Sequence, residues 1–208
     1  MSGLLKGARH MAPVAVLCGL TITAAGCARK SVTRIEPTAV TDLSGRWNDT
    51  DSRLVANALI EQSLSHRWAE QYSSANGGEA PTVVVGSFRN RSAEHIAVET
   101  FVNDLERALI GSGAVRLVAS GTERAEIRGE RDDQQDNARA DTRAQVAHEL
   151  GANYMLLGEI QSIEDQEGGE TVVFYQVDAT LVDVESNVRV WAGHHEIKKH
   201  VDRRRLRL

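Results

Sequence analysis

Cysteine is nearly absent from the chain: of 208 residues only Cys18 and Cys27 carry a thiol, and both lie at the amino-terminal end. The body that follows therefore has no disulfide framework, no thiolate zinc site and no cysteine nucleophile. Aromatic residues are scarce, with three each of Trp, Tyr and Phe, so a stacking groove for sugars or single-stranded nucleic acid has little material. Gly-x-Ser-x-Gly elbows, Walker A loops and dinucleotide fingerprints are missing. No carboxylate pair falls in a motif that would set two acids across a substrate. The expectation is a non-enzyme with no cofactor, no metal and no small-molecule substrate.

What is present begins with a leader. Met1 to His10 carries Lys6 and Arg9, and Met11 to Ala25 then runs without a charge, interrupted by Pro13 and Gly19. The run is shorter than the ~20 apolar residues that span a bilayer core. A charged start, a short apolar middle and a small-residue end describe a secretory signal peptide. "AAGC", residues 24–27, resembles the bacterial lipobox, although Ala24 stands where Leu is usual. That resemblance implies cleavage after residue 26, lipidation of Cys27 and, with Ala28 next, sorting to the outer membrane. An ordinary secretory signal with an incidental cysteine is the alternative. Cys18 is the poorer candidate, because bulky Leu17 precedes it. Each buried CH₂ of an acyl chain contributes ~0.8 kcal/mol, and stable anchoring needs more than one chain. Removal of the leader takes away two basic residues and no acidic one, leaving 22 against 29 and a net charge of −7. Such a body is no general nucleic-acid binder.

Residues 28–41 are polar and aperiodic, with Pro37 among them, and read as a tether. Fully extended they reach about 50 Å at ~3.3–3.6 Å per residue; as a coil they average nearer ~20 Å. Next comes a helix that Thr50 or Asp51 can cap, with Leu54, Val55, Ala58, Leu59 and Leu64 at helical spacing. Ser73 to Pro81 reads as a loop and "TVVVGSF", residues 82–88, as a buried strand. Ile96, Val98, Val102, Leu105 and Leu109 mark a second helix stopped by Gly111 and Gly113, and residues 114–118 a further strand. The mixed-charge stretch 121–140 reads as a solvated helix, and Asp141 to Leu150 as another helix. Three extended segments close the chain, separated by "EGG" and "ESN". In the middle one Val173, Tyr175, Val177, Ala179 and Leu181 share a face at period two, which predicts a meander with one buried side. The expected fold is α/β: one domain, with a mixed sheet of about five strands and helices packed on it.

Two features suggest sites. "GHHE", residues 193–196, hints at a metal, but in an extended segment His194 and His195 point to opposite faces, so surface histidines are the simpler reading. The stretch "KKHVDRRRLRL" is basic on an acidic body. It suits anionic lipid, peptidoglycan or an acidic partner surface, with a solvated end as the plain alternative.

Several stretches together resemble the LpoB family of outer-membrane lipoproteins, the activators of penicillin-binding proteins. They are "DLSGRWNDTDSRLVANAL", "NRSAEHIAVETFVNDLERALIGSGAVRLV", "DTRAQVAHELGANYMLLGEI" and "VDVESNVRVWAG". The resemblance implies a fold like the amino-terminal domain of TolB. It also implies a regulator that stimulates a class A penicillin-binding protein by protein–protein contact. The organisation expected is 1–26 leader, 27–42 lipidated cysteine and tether, 43–200 domain and 201–208 basic tail. The family's partner-binding face maps onto Thr142 and Arg143, at the start of the helix read from Asp141. The best-known members carry a long Pro-rich tether, which this chain lacks. Alternatives are a lipoprotein of an envelope transport or secretion assembly, since the curli secretion pore subunit has a related domain, and an enzyme whose site the motifs miss.

Overall fold

In the computed structural model residues 31–137 and 151–202 are described. The leader, Cys27, the helix read from Asp141 with Thr142 and Arg143, and residues 203–208 lie outside them. The chain divides between Glu36 and Pro37; residues 31–36 carry no helix or strand, and all regular elements belong to the second unit.

Helix α1 (Asp49–Leu64) starts two residues earlier than a Thr50 cap would place it, and three earlier than an Asp51 cap. Its cap is Asn48, not Thr50 or Asp51. The Asn48 side chain accepts from the amides of Thr50 and Asp51 at 2.9 and 3.1 Å, and Asp51 reaches back to the Asn48 amide at 2.9 Å. This reciprocal box satisfies donors that a helix start otherwise leaves open. The inward stripe also differs from expectation. Ser52, Val55, Ala56, Leu59, Ile60 and Ser63 are buried, whereas Leu54 is 57 % exposed. The hydroxyl positions belong to the inner face, and a pattern built on apolar residues alone rotates the helix away from them. A short helix α2 (Trp68–Ala75) then occupies part of the expected loop, with Trp68 buried.

Strand β1 (Thr82–Asn90) leads into α3 (Val98–Ser112) and the two-residue β2 (Arg116–Leu117). Phe101, Asp104, Leu105 and Leu109 form the buried side of α3, and Gly113 takes the left-handed turn at its end while Gly111 stays inside the helix. Helix α4 (Gly121–Asn137) carries the mixed charges and is exposed along most of its described side chains. Strands β3 (Tyr154–Glu167), β4 (Glu170–Asp183) and β5 (Arg189–Asp202) are each 14 residues long.

The five strands form one sheet in the order β2-β1-β3-β4-β5. β1 pairs in parallel with β2 and β3, and the β3–β4 and β4–β5 pairs are antiparallel. The period-two reading of β4 holds: Val173, Tyr175, Val177, Ala179 and Leu181 are all buried on one face. Against that face pack α1 and α3, which also pack on each other, and the core runs from Val55 and Leu59 through Phe101 and Leu105 to Ile160 and Trp191. The ring of Phe101 meets those of Phe88 and Trp47 edge-on, with centroids 5.4 and 6.0 Å away. Gly158 sits where β3 passes under Phe88; a Cβ there would lie 2.3 Å from that ring and 2.4 Å from the Asp178 carbonyl.

The rotated stripe of α1 is checked by a pair of substitutions. Leu59→Ala is expected to cost about 2–5 kcal/mol, and Leu54→Ala less than about 0.5 kcal/mol, measured by urea unfolding.

Candidate tether junction and partner-facing surface

The stretch "DLSGRWNDTD" joins residues 31–41, which carry no helix or strand, to the first helix, and most of its polar groups have a partner. Asp42 Oδ1 accepts from the Asn48 side chain at 2.7 Å and from Lys199 Nζ at 2.7 Å. Lys199 also donates to Asp51 Oδ2 at 2.6 Å and to the Arg46 carbonyl at 3.1 Å. Lys199 lies on the buried face of β5, between Ile197 and Val201 in the alternation. Its side chain is 10 % exposed and that of Asp51 5 %, while Asp42 is 48 % exposed. One ammonium therefore ties Asp42 and Arg46, the start of α1 and the end of β5 into a single knot. Gly45, with φ +71°, runs so close to β5 that a Cβ would fall 2.1 Å from the Val201 side chain.

Trp47 sits beside this knot. Its indole N–H donates to Ser52 at 3.0 Å, its amide to Glu94 at 3.2 Å, and its ring lies edge-on to Tyr175 at 5.5 Å. The other Glu94 oxygen accepts the Tyr175 hydroxyl. Glu94 thus links the loop after β1 to both the junction and the centre of the sheet.

Burial alone would pull the Lys199 pKa down, but the hydrogen bonds to Asp42 and Asp51 and their charges outweigh it and hold it above the ordinary 10.5. The hydrogen bond from Lys199, then that from Asn48, holds Asp42 below its ordinary 3.8. Burial, reinforced by the Glu94 carboxylate, pushes the Tyr175 phenol far up, so it stays neutral.

The opposite face of the sheet carries an open, polar ribbon. Pairing sets Arg89, Glu159, Asp178 and His194 side by side across four strands. Gln161 donates to Glu159 at 2.8 Å, Gln176 to Asp178 at 2.9 Å, and Arg91 lies 3.8 Å from Glu159. Of these, Arg89, Glu159 and Asp178 line a shallow depression together with Leu157, Thr180, Val182 and Arg189. Two carboxylates directly opposite each other repel; here flanking amides and guanidinium groups offset them. The ribbon offers both charge signs and hydrogen-bonding groups on an open surface, which suits a protein surface better than an enclosed ligand. His194 is exposed and His195 half-buried on alternate faces, and among the described residues no group of three His, Cys, Asp or Glu side chains is placed to hold a metal. Nor is any helix among them long and apolar enough to cross a membrane.

The sequence-level site residues Cys27, Thr142 and Arg143 fall outside the described residues. Sequence reasoning missed Lys199 and Glu94. Lys199 leaves one signal, a lysine at an inward position of an alternating strand. Glu94 leaves none, because its partners are 47 and 81 positions away.

The model of the family described as "Peptidoglycan-synthase activator LpoB" matches residues 51–197. The chain belongs to the LpoB family. Among solved structures, the LpoB C-terminal domain from Salmonella enterica is similar at 16 % identity, covering 74 % of this chain and 99 % of that one, with a TM-score of 0.39. The corresponding Escherichia coli domain is similar at 16 % identity, covering 72 % and 99 %, with a TM-score of 0.41. Lipoprotein GNA1162 from Neisseria meningitidis shows 14 % identity over 61 % and 88 %, with a TM-score of 0.37. A comparison with curated proteins returns no match. In this LpoB-family chain the match opens at Asp51 and stops at Ile197, so Asp42, Trp47, Asn48 and Lys199 lie just beyond its two limits.

Removing the lysine leaves the Asp51 carboxylate buried without its cation. Lys199→Met is therefore expected to cost about 3–5 kcal/mol, and Asp42→Asn, at the wetter end of the same knot, less than about 1 kcal/mol. The raised pKa of Lys199 means that its contribution is complete below pH 10.5 and is lost as pH climbs through the raised value. The lowered pKa of Asp42 means that its contribution is complete above pH 3.8 and is lost as pH falls through the lowered value. Denaturant unfolding across pH should show both limbs, with the alkaline limb diminished in Lys199→Met.

Proposed function

We propose that this chain is an outer-membrane lipoprotein, held by lipid on Cys27, that activates a class A penicillin-binding protein by direct contact. The family match over residues 51–197 carries this reading. The open, mixed-charge face of the sheet suits it, since stimulation of another enzyme needs a surface and no reactive centre. In this reading residues 1–26 are removed, 27–42 connect lipid to domain, 43–200 form the regulatory domain and 201–208 a basic extension. Thr142 and Arg143 contribute to the partner contact. The sequence pattern starts a helix at Asp141, and an arginine in such a first turn is poorly placed against the helix dipole; an acidic partner surface would offset that.

The test is glycan-strand synthesis from lipid II by the host's purified class A synthases, with and without residues 28–208. Acceleration of one synthase is expected. Arg143→Glu should weaken that effect by about 30-fold in apparent Kd, corresponding to about 2 kcal/mol at a contact hot spot, with Tm unchanged. A folded domain that accelerates none of the synthases overturns the reading. Cys27→Ser is expected to shift the chain from the membrane to the soluble fraction.

A further inference from the structure

The sheet face turned away from α1 and α3 carries its charges in columns. On that face β3 presents Glu159, Asp165 and Glu167 and no basic residue. β5 presents His194, Lys198 and His200 in the rows alongside, with Glu196 among them. Between the columns β4 places Val172 and Phe174, and Ile163 lies next to Phe174. Ile163 is 67 % exposed, and Phe174 and Val172 are only half-buried. An exposed apolar centre with a charged rim marks a contact surface. The columns stand two strand spacings apart, about 10 Å at ~4.8 Å each, too far for acid and base to pair across β4 within one chain. His194 and His200 instead lie 3.7 Å from Glu196 and Glu170 of their own neighbourhood. The side chains of Asp165 and Lys198 have no partner among the described residues.

We propose that a second copy of the chain covers this face, related to the first by a two-fold axis that runs along β4. A sheet face can meet its own copy about an axis across the strands or along them. An axis across the strands sets β3 over β3 and β5 over β5, acid on acid and base on base. An axis along β4 sets β3 over β5 of the second copy. Glu159 then meets His194, Asp165 meets Lys198 and His200, and Phe174 meets its own counterpart at the centre. Each contact occurs twice, as in any such self-complementary interface. Glu196 falls over Gln161, near Arg91. Like charges come together only where Asp178 meets itself and where Glu167 nears Asp202. Packed sheets cross at about 30°, so the copies are closest at Phe174 and part towards both places. The same axis preserves strand direction, so both copies send Asp42, bonded to Lys199 near the end of β5, out at one end. Two copies held on one membrane need that arrangement, a point that rests on the reading of Cys27 as lipidated. Three strands of 14 residues offer about 700 Å² in projection, under the ~800 Å² per partner of a standard interface. The dimer is therefore weak and reversible, and crowding on a surface favours it. Pairing hides Glu159 and Asp178 from other proteins; that it withholds this face from a synthase rests on the activator reading, whereas the pairing itself does not.

Residues 28–208 contain no thiol, so disulfide-linked pairs cannot confuse the test. Sedimentation equilibrium from low micromolar to near-millimolar chain is expected to show the mass rising from one copy to two. Asp165→Lys and Lys198→Glu each turn two acid–base contacts into like-charge ones, and each should raise the dimer Kd by about tenfold or more. Both positions are exposed, so folding is little affected. An equimolar mixture of the two variants should dimerise as the unaltered chain does, because the unlike pair regains acid against base at both contacts. Phe174→Asp, at the centre, should leave only monomer. A chain that stays monomeric at every concentration overturns the proposal. So does a dimer that neither charge variant weakens, which lies elsewhere on the molecule. Variants that dissociate but do not recover on mixing overturn it as well, since the two-fold along β4 demands that recovery. No synthase enters these measurements, so failure of the pairing and failure of the activator reading are separately visible.

Discussion

A single ammonium, that of Lys199, fixes how the ends of this domain come together. Its position on the buried face of an edge strand is costly unless opposite charge meets it, and Asp51 and Asp42 do so from the far end of the sequence. Asp51 is simultaneously the closing member of the α1 capping box. The same carboxylate thus defines where the first helix begins and where the last strand lies against it. An inward-pointing charge also makes β5 a poor template for pairing with another chain, so the knot protects the longer edge strand of the sheet.

Much of this fold was legible because the sheet is half-buried. Val173 through Leu181 alternate without error, and the "EGG" and "ESN" breaks fall where β4 begins and where the next turn closes. α1 was harder, since Ser52 and Ser63 occupy inner positions that a hydrophobicity pattern assigns to solvent, while Leu54 is left outside. Its cap was misplaced for a related reason: Asn48, Thr50 and Asp51 are all plausible caps by type, and only the tertiary partner of Asp51 separates them. Helix α2 was hidden because Trp68 looks like part of a continuing α1; the turn between them is stabilised by the Trp68 indole bonding the Ser63 carbonyl at 2.8 Å.

The site was less legible than the fold. Catalytic chemistry leaves short motifs because reacting atoms demand fixed spacing; a docking surface makes no such demand. The ribbon of Arg89, Glu159, Asp178 and His194 draws one residue from each of four strands, and nothing in their sequence separations announces that they meet. What the sequence did carry was the distributed likeness that the family match over residues 51–197 establishes. The family is described as an activator of peptidoglycan synthase, and in this chain the sheet offers a broad polar face.

The junction at Asp42 has a mechanical side. Asp42 and the turn through Arg46 are held by polar contacts to one lysine and by the approach of Gly45 to Val201, whereas Trp47 is locked by ring contacts and Asn48 by the helix it caps. A pull on the amino-terminal side would therefore meet the weaker fastening first. Release of residues 42–46 adds about 16–18 Å of extended chain at ~3.3–3.6 Å per residue before the core bears load. That fold-back is slack held in reserve at the amino-terminal end of the domain.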